Sequence, residues 1–215
     1  MTRFPLILSS PSGGGKTTLA RELLKLRADT GYSVSCTTRQ PRDKEAQGRD
    51  YYFLSRHEFD EARVSGAFAE SAEVHGEMYG TLRREVDGLL AAGKHVVMDI
   101  DVQGARQFIA AYPASALIFV LPPDVGVLLD RLRARGTEDQ KSMARRLRSA
   151  IAELQAVGMY QYVVVNDDLG RAVESVSRII DAEAAKTARA SDLAGTLQSL
   201  VAGLEGELAD INRSR

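Results

Sequence analysis

The sequence predicts an α/β fold of three layers, in which helices cover a parallel sheet. Short runs that are apolar at almost every position predict strands buried on both faces, and they span residues 4–8, 95–98, 116–121 and 162–165. Segments with helical periodicity separate these runs and span residues 16–26, 82–92, 102–110, 124–134, 142–157 and 171–184. Strands that alternate with helices favour a parallel sheet.

Composition restricts the classes of protein to which the chain can belong. Its 215 residues suit one ordinary domain, and 44% hydrophobic with 27% charged residues exclude wholesale disorder. A net charge of −1 predicts no nucleic-acid or anionic membrane partner. The longest apolar runs are six residues, which predicts no membrane span and no signal peptide. The single cysteine, Cys36, excludes an internal disulfide, and a cytoplasmic location is expected.

The first predicted strand leads into a glycine-rich loop and then a helix. Residues 9–18 read SSPSGGGKTT, close to the pattern G-x-x-x-x-G-K-S/T, with Ser10 where the pattern has glycine. Backbone N–H groups and the helix start can bind phosphate, Lys16 can reach the β- and γ-phosphates, and the Thr17 hydroxyl can ligate Mg²⁺. Ser10 fits if its φ is negative. The alternative is a glycine-rich turn with an exposed lysine. The predicted ATP-binding residues of the loop are Ser12, Gly13, Gly14, Gly15, Lys16, Thr17 and Thr18.

The strand at 95–98 ends in two acids, Asp99 and Asp101. Alternation along an extended chain places both side chains on the same side. A phosphate-binding loop of this kind needs an acidic metal partner at the end of a neighbouring strand. The alternative is a solvated strand-to-helix turn in which Asp101 caps the helix.

Two stretches depart from the alternation of strand and helix. Residues 36–81 are polar and rich in predicted loops, which indicates an inserted subdomain. Residues 131–148 carry seven Lys and Arg residues against Glu138 and Asp139, so a compact anion is the expected partner of this patch. No proline follows Pro123, which leaves the second half of the chain free to be mostly helical.

Further motifs occur in a fixed order, and with them the chain resembles guanylate kinase, a family that phosphorylates GMP with ATP. After the loop come S-x-T-T-R-x-P-R from Ser35, Y-G-T from Tyr79, D-I-D-x-Q-G from Asp99, R-x-x-x-R-G from Arg131 and N-D-D-L from Asn166. The resemblance covers residues 4 to about 181. The loop alone would be unspecific, whereas the ordered set is highly specific.

The resemblance implies a division of the chain into four parts. It assigns residues 1–35, 82–127 and 160–184 to a P-loop kinase core, and residues 36–81 to a GMP-binding subdomain. Residues 128–159 would form an arginine-rich lid, and residues 185–215 remain as a helical tail. The implied substrates are ATP and GMP, with Mg²⁺ as the cofactor.

Residue roles also follow from the resemblance, position by position. The catalytic group is implied to be Lys16, Arg39, Arg131, Arg135 and Arg146. The GMP-binding residues are implied to be Ser35, Arg39, Arg42, Tyr51, Glu70, Tyr79, Thr81 and Asp101. Thr17 and Asp99 match the magnesium side of the site, and Asn166 matches a strand-end segment near the ATP adenine.

The chemistry of guanine agrees with these residue types. Guanine presents N1–H and an exocyclic NH₂ as donors, so the carboxylates of Glu70 and Asp101 can accept from it. The hydroxyls of Ser35 and Thr81 can donate to guanine O6. Adenine has a bare N1 acceptor, which would face a carboxylate with no proton between them. The attacking oxygen belongs to a phosphate that is mostly deprotonated at pH 7, so no general base is required.

Other interpretations remain open. The scaffold suits another nucleoside monophosphate kinase or small-molecule kinase, and guanylate-kinase-like domains also exist as peptide-binding modules without catalysis. Individual side chains have structural alternatives: Arg39 and Arg42 as solvated loop residues, Tyr51 and Tyr79 as subdomain core, Glu70 as a surface strand residue, and the lid arginines as a charged helix surface. The three histidines and Cys36 are expected to be structural.

The tail extends beyond the resemblance. Apolar residues recur at spacings of three and four, at Leu193, Leu197, Leu200, Leu204, Leu208 and Ile211. This single stripe predicts an amphipathic helix that packs on the protein's own core or on a second copy of the chain. Self-association is the preferred interpretation, and a disordered tail is the alternative.

Overall fold

A computed structural model describes residues 2–74, 76–134 and 140–213. The chain divides into two compact units. The larger unit spans residues 3–179, and in the smaller one Thr2 joins the described part of residues 180–215. Arg135, one of the predicted lid arginines, lies outside the described residues.

A five-stranded parallel sheet forms the centre of the larger unit. Its strands follow the order β2-β7-β1-β8-β9. Their bounds are β1 Pro5–Ser9, β2 Thr30–Tyr32, β7 His95–Asp99, β8 Ala116–Leu121 and β9 Tyr162–Val165. The predicted α/β class and the four predicted strands are confirmed.

Helices separate these strands as the sequence predicts. They are α1 Lys16–Leu26, α3 Arg83–Ala91, α4 Val102–Ala111, α5 Val125–Arg133, α6 Gln140–Gln155 and α7 Leu169–Ala184. The bounds differ from the predicted ones by at most two residues; α5, for example, begins at Val125 because Asp124, the predicted first residue, is its N-cap. The core between sheet and helices includes Ile7, Met98 and Phe108, all fully buried.

Two features of the sheet differ from the prediction. The strand β2 was not predicted, because three residues that include Gly31 give no periodic signal, and its pairing with β7 defines it. Burial of β9 on both faces was also wrong: Val163 and Val165 are 50% and 48% exposed. The strand lies at the edge of the sheet, and the alternating side chains of Val163 and Val165 share one face, which is open to solvent.

The inserted region folds as a small sheet with its own core, so the expectation of a loop-rich segment is wrong. Four strands follow the order β4-β3-β6-β5. They are β3 Ser35–Thr37, β4 Tyr52–Phe53, β5 Phe68–Val74 and β6 Glu77–Leu82, and the helix α2 Arg56–Val64 accompanies them. Cys36, Phe59, Phe68, Met78 and Leu82 form the core. Ser55 begins α2 with a capping box to Glu58, a short-range signal that the polar composition concealed.

Cys36 is a packing residue, as expected from its single occurrence. The side chain is 1% exposed, and burial raises the pKa of its thiol to about 12. A thiol that keeps its proton at neutral pH is a poor nucleophile.

The smaller unit contains the predicted tail helix, α8 Leu193–Arg213. Ahead of it, a single helical turn at Thr187–Arg189 is tied by Arg189, which donates at 2.7 Å to the buried carboxylate of Glu183. No residue of α8 is buried, and its apolar stripe is exposed from Leu197 to Ile211, with Leu204 at 66%. Among the helices of the described residues, none is long and apolar enough to cross a membrane.

Candidate active site

The parallel sheet brings the glycine-rich loop and the paired acids to one edge. β1 and β7 are neighbours, and Leu8 pairs with Asp99 in their register. The carboxyl ends of parallel strands face the same edge, so the loop after β1 lies beside Asp99 and Asp101. Ser9 fixes this neighbourhood by donating from its hydroxyl to the Ile100 carbonyl at 2.7 Å.

The loop between β1 and α1 has the backbone of a phosphate cradle. Gly13 and Gly15 have φ angles of 87° and 89°, a conformation that favours glycine, and Gly14 N–H donates to the Pro11 carbonyl at 2.8 Å. Lys16 is the first residue of α1, where free N–H groups favour an anion. Among the described non-glycine residues Asp192 alone has a positive φ, so Ser10 meets the condition under which it can replace glycine.

Asp99 receives two hydroxyl donors from different elements. Thr17 on α1 donates to Oδ2, and Tyr32 at the end of β2 donates to Oδ1. Burial, together with the charge of Asp99, raises the pKa of Tyr32 well above its ordinary value, so this hydroxyl keeps its proton. In the described part of the chain, no group of three or more His, Cys, Asp or Glu side chains could hold a metal by itself. The hard oxygen atoms of Thr17 and Asp99 nevertheless suit Mg²⁺, which commonly takes few protein ligands and completes its shell with phosphate and water.

Asp101 lies at the start of α4 and caps it. Its Oδ1 accepts from Gly104 N–H at 2.7 Å, which confirms the helix-cap interpretation for one of its two oxygens.

Glu70 is buried next to Asp101, so the interpretation as a surface strand residue is wrong. The residue is 5% exposed, and Thr81 donates from its hydroxyl to Oε1 at 2.6 Å. Burial raises the pKa of Glu70 to about 7, the Thr81 hydroxyl opposes this shift, and the charge of Asp101 adds to it. Ser35 faces Thr81 across β3 and β6, so three of the four predicted base-reading side chains meet on this small sheet.

Gly104 makes room for this carboxylate. A Cβ atom at position 104 would lie 2.7 Å from Glu70 Oε2 and 3.4 Å from Asp101 Oδ1. A methyl group at the first of these distances requires the carboxylate to move.

Arg39 follows β3 of the same subdomain, and its guanidinium is paired with the carboxylate of Glu45. Glu45 accepts from its guanidinium at 2.9 Å with Oε1, and from Arg42 N–H at 2.9 Å with Oε2. The bond from Arg39 holds the pKa of Glu45 below its ordinary value. The guanidinium also lies 5.4 Å from the centre of the Tyr51 ring, a cation–π distance.

The two predicted phosphate-binding tyrosines are in contact. The rings of Tyr51 and Tyr79 meet edge to face at 6.0 Å, and burial raises the pKa of Tyr51 to about 12. The side chain of Arg42 is exposed, and Thr18 is exposed on α1. The structure therefore brings Arg39 together with both tyrosines and leaves Arg42 and Thr18 at the surface.

The far side of the loop contacts residues from later in the chain. Asn166, at the end of β9, donates from Nδ2 to the Gly14 carbonyl at 3.1 Å, and Arg131 on α5 donates to the same oxygen at 3.4 Å. Glu153 on α6 accepts from Ser12 N–H at 3.1 Å. Burial raises the pKa of Glu153, and the charge of Lys16 opposes this shift. Arg146 is half-buried on the same helix α6.

Sequence reasoning missed three residues of the site: Tyr32, Glu45 and Glu153. Tyr32 belongs to the strand that gave no signal, and Glu153 lies on α6 beyond the basic residues 131–148, where one acid forms no pattern. The spacing of Glu45, three residues after Arg42, fits the turn in which it accepts from that residue's N–H, and is the one signal that was available.

Comparison with known proteins gives one consistent result. A family model described as Guanylate kinase matches residues 2–183. A guanylate kinase from Nitrosospira multiformis is 43% identical to this chain, and the match covers 85% of this chain and 87% of the relative. A guanylate kinase from Anaeromyxobacter dehalogenans is 48% identical, and the match covers 86% of this chain and 88% of the relative. The crystal structure of guanylate kinase from Anaplasma phagocytophilum is 34% identical, with a TM-score of 0.77 over 92% of this chain and 95% of that one.

The buried Glu70 carboxyl gives the free energy of unfolding a pH dependence of defined sign. Its pKa is about 7 in the folded chain against an ordinary value of 4.5, so folding retains a proton that the unfolded chain releases. The stabilising contribution is complete below about pH 4.5 and is lost as the pH rises to about 7, with a slope of at most about 1.4 kcal/mol per pH unit.

Glu70→Gln removes this titration and keeps an oxygen that accepts from Thr81. In denaturant unfolding from about pH 5 to about pH 8, we expect the variant to gain stability relative to the wild type as the pH rises. Glu73→Gln, exposed on the same strand β5, should keep the wild-type slope. Equal slopes for the wild type and Glu70→Gln would contradict the prediction.

Proposed function

Because this chain belongs to the guanylate kinase family and transfers a phosphoryl group from ATP to GMP, we propose that the residues at the ends of β1 and β7, with the inserted sheet, carry this reaction. The observation that carries the proposal is the convergence of a phosphate-binding loop, Asp99 and the buried Glu70–Thr81 pair at one edge of the sheet. The three-part division into core, GMP-binding subdomain and lid is part of the same proposal.

On the ATP side, the loop and the start of α1 would bind the phosphates. The left-handed Gly13 and Gly15 shape a loop whose free N–H groups can converge on phosphate oxygens, and Lys16 supplies a positive charge beside them. Asn166 and Arg131 hold the Gly14 carbonyl, so they keep the outer edge of the loop in place. Asn166 would also lie near the ATP adenine, as the family resemblance implies.

On the metal side, Thr17 and Asp99 would hold Mg²⁺. When bound, the ion neutralises charge on the β- and γ-phosphate oxygens and so favours the transfer. Thr17 donates its proton to Asp99, which leaves the lone pairs of its oxygen for a metal ligand bond.

On the GMP side, the nucleotide phosphate would bind to Arg39, with Arg42, Tyr51 and Tyr79 completing the contact. Arg39 is already oriented by Glu45 and by the Tyr51 ring, and an oriented guanidinium loses less side-chain freedom on binding. The exposed side chain of Arg42 would have to turn toward the phosphate.

The base of GMP would be read by Glu70, Asp101, Ser35 and Thr81. Asp101 caps α4 with Oδ1, and its Oδ2 would accept a hydrogen bond from a donor group of the base. Thr81 donates to one oxygen of Glu70, so the second oxygen is available for guanine N1–H or NH₂. Adenine would leave a buried carboxylate without a donor, which a site of this kind penalises by up to about 10⁴-fold.

The transfer itself needs charge and alignment more than proton abstraction. A deprotonated oxygen of the GMP phosphate forms the new bond to the γ-phosphorus, the bond to the β–γ bridging oxygen breaks, and ADP leaves. Lys16, Arg39 and the lid arginines Arg131, Arg135 and Arg146 would offset the repulsion between the two anions. Closure of the lid and subdomain would exclude water, which competes with GMP for the phosphoryl group.

The alternatives differ in their acceptor. Another small-molecule kinase on this scaffold would prefer a different base, and a non-catalytic module would show no turnover. A coupled assay of ADP formation with GMP, dGMP, AMP and UMP separates them: GMP-dependent turnover supports the proposal, whereas AMP used as well as GMP, or hydrolysis of ATP without an acceptor, contradicts it.

The near-neutral charge and single cysteine favour a cytoplasmic location.

The role of Lys16 predicts a large loss of rate on its removal. Lys16→Ala should lower kcat by about 100- to 1000-fold, because one preorganised charge at the transferring group is lost, with little change in the melting temperature. Lys25→Ala on the same helix removes an exposed lysine and should keep wild-type kcat. A Lys16→Ala variant with half of the wild-type kcat would show that the lysine is only a surface residue.

The base-reading role predicts losses confined to GMP. Asp101→Asn keeps a good helix cap, and Glu70→Gln keeps the bond from Thr81, but each removes an acceptor charge. Each should raise KM for GMP by about 10-fold or more, leave KM for ATP within about twofold, and narrow the preference for GMP over AMP. Glu73→Gln is the matched control. If KM for GMP and KM for ATP rose by the same factor, these residues would support the fold and would not read the base.

We further propose that α8 joins two copies of the chain through its apolar stripe. The family match ends at residue 183, and the stripe beyond it is exposed over several turns. A chain that ends at Ala185 should keep near-normal activity and elute at a lower mass than the full chain. Leu204→Glu should also lower the mass, whereas Ser199→Glu, on the opposite side of α8, should not. If the full-length and the truncated chain have the same oligomeric state, α8 is not the interface between the copies.

A further inference from the structure

Tyr32 lies next to the proposed metal side and has no part in the reaction as described so far. It is the last residue of β2 and pairs with Val97, two residues before Asp99 in β7. Its hydroxyl reaches forward along the sheet and donates to Asp99 Oδ1. Thr17 donates to the other oxygen, so both oxygens of this carboxylate are engaged from opposite sides.

We propose that Tyr32 is a positioning residue for the metal side of the site, because it fixes the orientation of the Asp99 carboxylate that in turn orients the Thr17 hydroxyl. The inference rests on the proposed Mg²⁺ site at Thr17 and Asp99. Tyr32 itself touches neither substrate nor metal in this proposal.

A hydroxyl can donate one hydrogen bond and accept two. Thr17 has one proton and two lone pairs, and only a carboxylate in the correct orientation takes the proton and leaves both lone pairs directed away from it. A carboxylate held at one oxygen can still rotate about its Cβ–Cγ bond, whereas donors on both oxygens fix that rotation. Tyr32 and Thr17 belong to different elements, β2 and α1, so each restrains Asp99 independently of the other.

The charged and polar groups around this pair do not replace Tyr32. The Arg21 guanidinium donates to Asp50 Oδ1 and not to Asp99. Arg21 forms an ion pair with Asp50 at 2.9 Å, so its charge already has a partner. Loss of the Tyr32 hydroxyl would therefore leave Oδ1 of Asp99 without the donor that it has in this structure.

The chain offers a matched control in Tyr112. Its hydroxyl donates to Asp87 Oδ1 at 2.8 Å, a bond of the same chemical kind that joins the residue after α4 to α3, away from the loop. Tyr32→Phe and Tyr112→Phe each remove one hydroxyl from a tyrosine–aspartate pair and keep the ring. Only the first should change the response to metal.

The experiment measures metal binding separately from turnover. Wild type, Tyr32→Phe and Tyr112→Phe are titrated with ATP by calorimetry in EDTA and at a series of Mg²⁺ concentrations, and Mn²⁺ binding to the ADP complex is followed by electron paramagnetic resonance. We expect Tyr32→Phe to raise the half-saturating concentration of both ions about 10-fold, the scale known for partners that orient a metal ligand. ATP binding in EDTA should stay within about twofold of wild type, and Tyr112→Phe should match wild type throughout.

A double-mutant cycle tests whether Tyr32 acts through Asp99. In an Asp99→Asn background, Tyr32→Phe should add less than about twofold to the metal constant, because the carboxylate that it orients is gone. The inference would be overturned if Tyr32→Phe weakened metal binding as much in the Asp99→Asn background as in the wild type. It would also be overturned if Tyr32→Phe alone kept the wild-type half-saturating metal concentration. Equal weakening of ATP binding with and without metal would also overturn it, because that pattern marks a structural role. If wild-type ATP binding does not respond to Mg²⁺, the proposed metal site itself fails.

Discussion

The parallel register that sets Leu8 beside Asp99 is the constraint on which the whole site depends. The sheet neighbours β1 and β7 carry the phosphate loop and the acids, and neither segment could reach the other from opposite edges. Because side chains alternate along a strand, a slip of one residue would turn Asp99 away from Thr17 and toward the far face of the sheet. The bond from Ser9 to the Ile100 carbonyl holds this register at its functional end.

Three carboxylates lie close to this edge, and each one has specific donors in the folded chain. Asp99 has two hydroxyls, Asp101 has an N–H group of its own helix, and Glu70 has Thr81. Buried charges that are fully hydrogen-bonded keep defined positions, whereas unpaired ones would shift their pKa or rearrange. Glu70 alone of the three is buried, and burial raises its pKa to about 7, with the charge of Asp101 adding to the shift and the Thr81 hydroxyl opposing it.

Local patterns in the sequence predicted the phosphate loop and the paired acids, and the family resemblance predicted more distant members of the site such as Glu70 and Asn166. The phosphate loop occupies consecutive positions of the chain, so its pattern was readable. Tyr32 and Glu153 reach the site only through the pairing of β2 and the packing of α6, and neither leaves a local pattern. The inserted sheet was hidden for two reasons: β3 and β4 are only three and two residues long, and the longer β5 and β6 place polar residues among few apolar ones.

The absence of a side chain at Gly104 has a consequence for how variants of this chain should be interpreted. Position 104 lies within α4, and alanine is ordinarily more favourable than glycine inside a helix. Judged by helix propensity alone, Gly104→Ala would be classified as harmless or even stabilising. The carboxylate of Glu70 occupies the space that the new methyl group needs. A variant can therefore be better folded and yet less discriminating, and its effect would be recognised only by testing the choice of nucleotide.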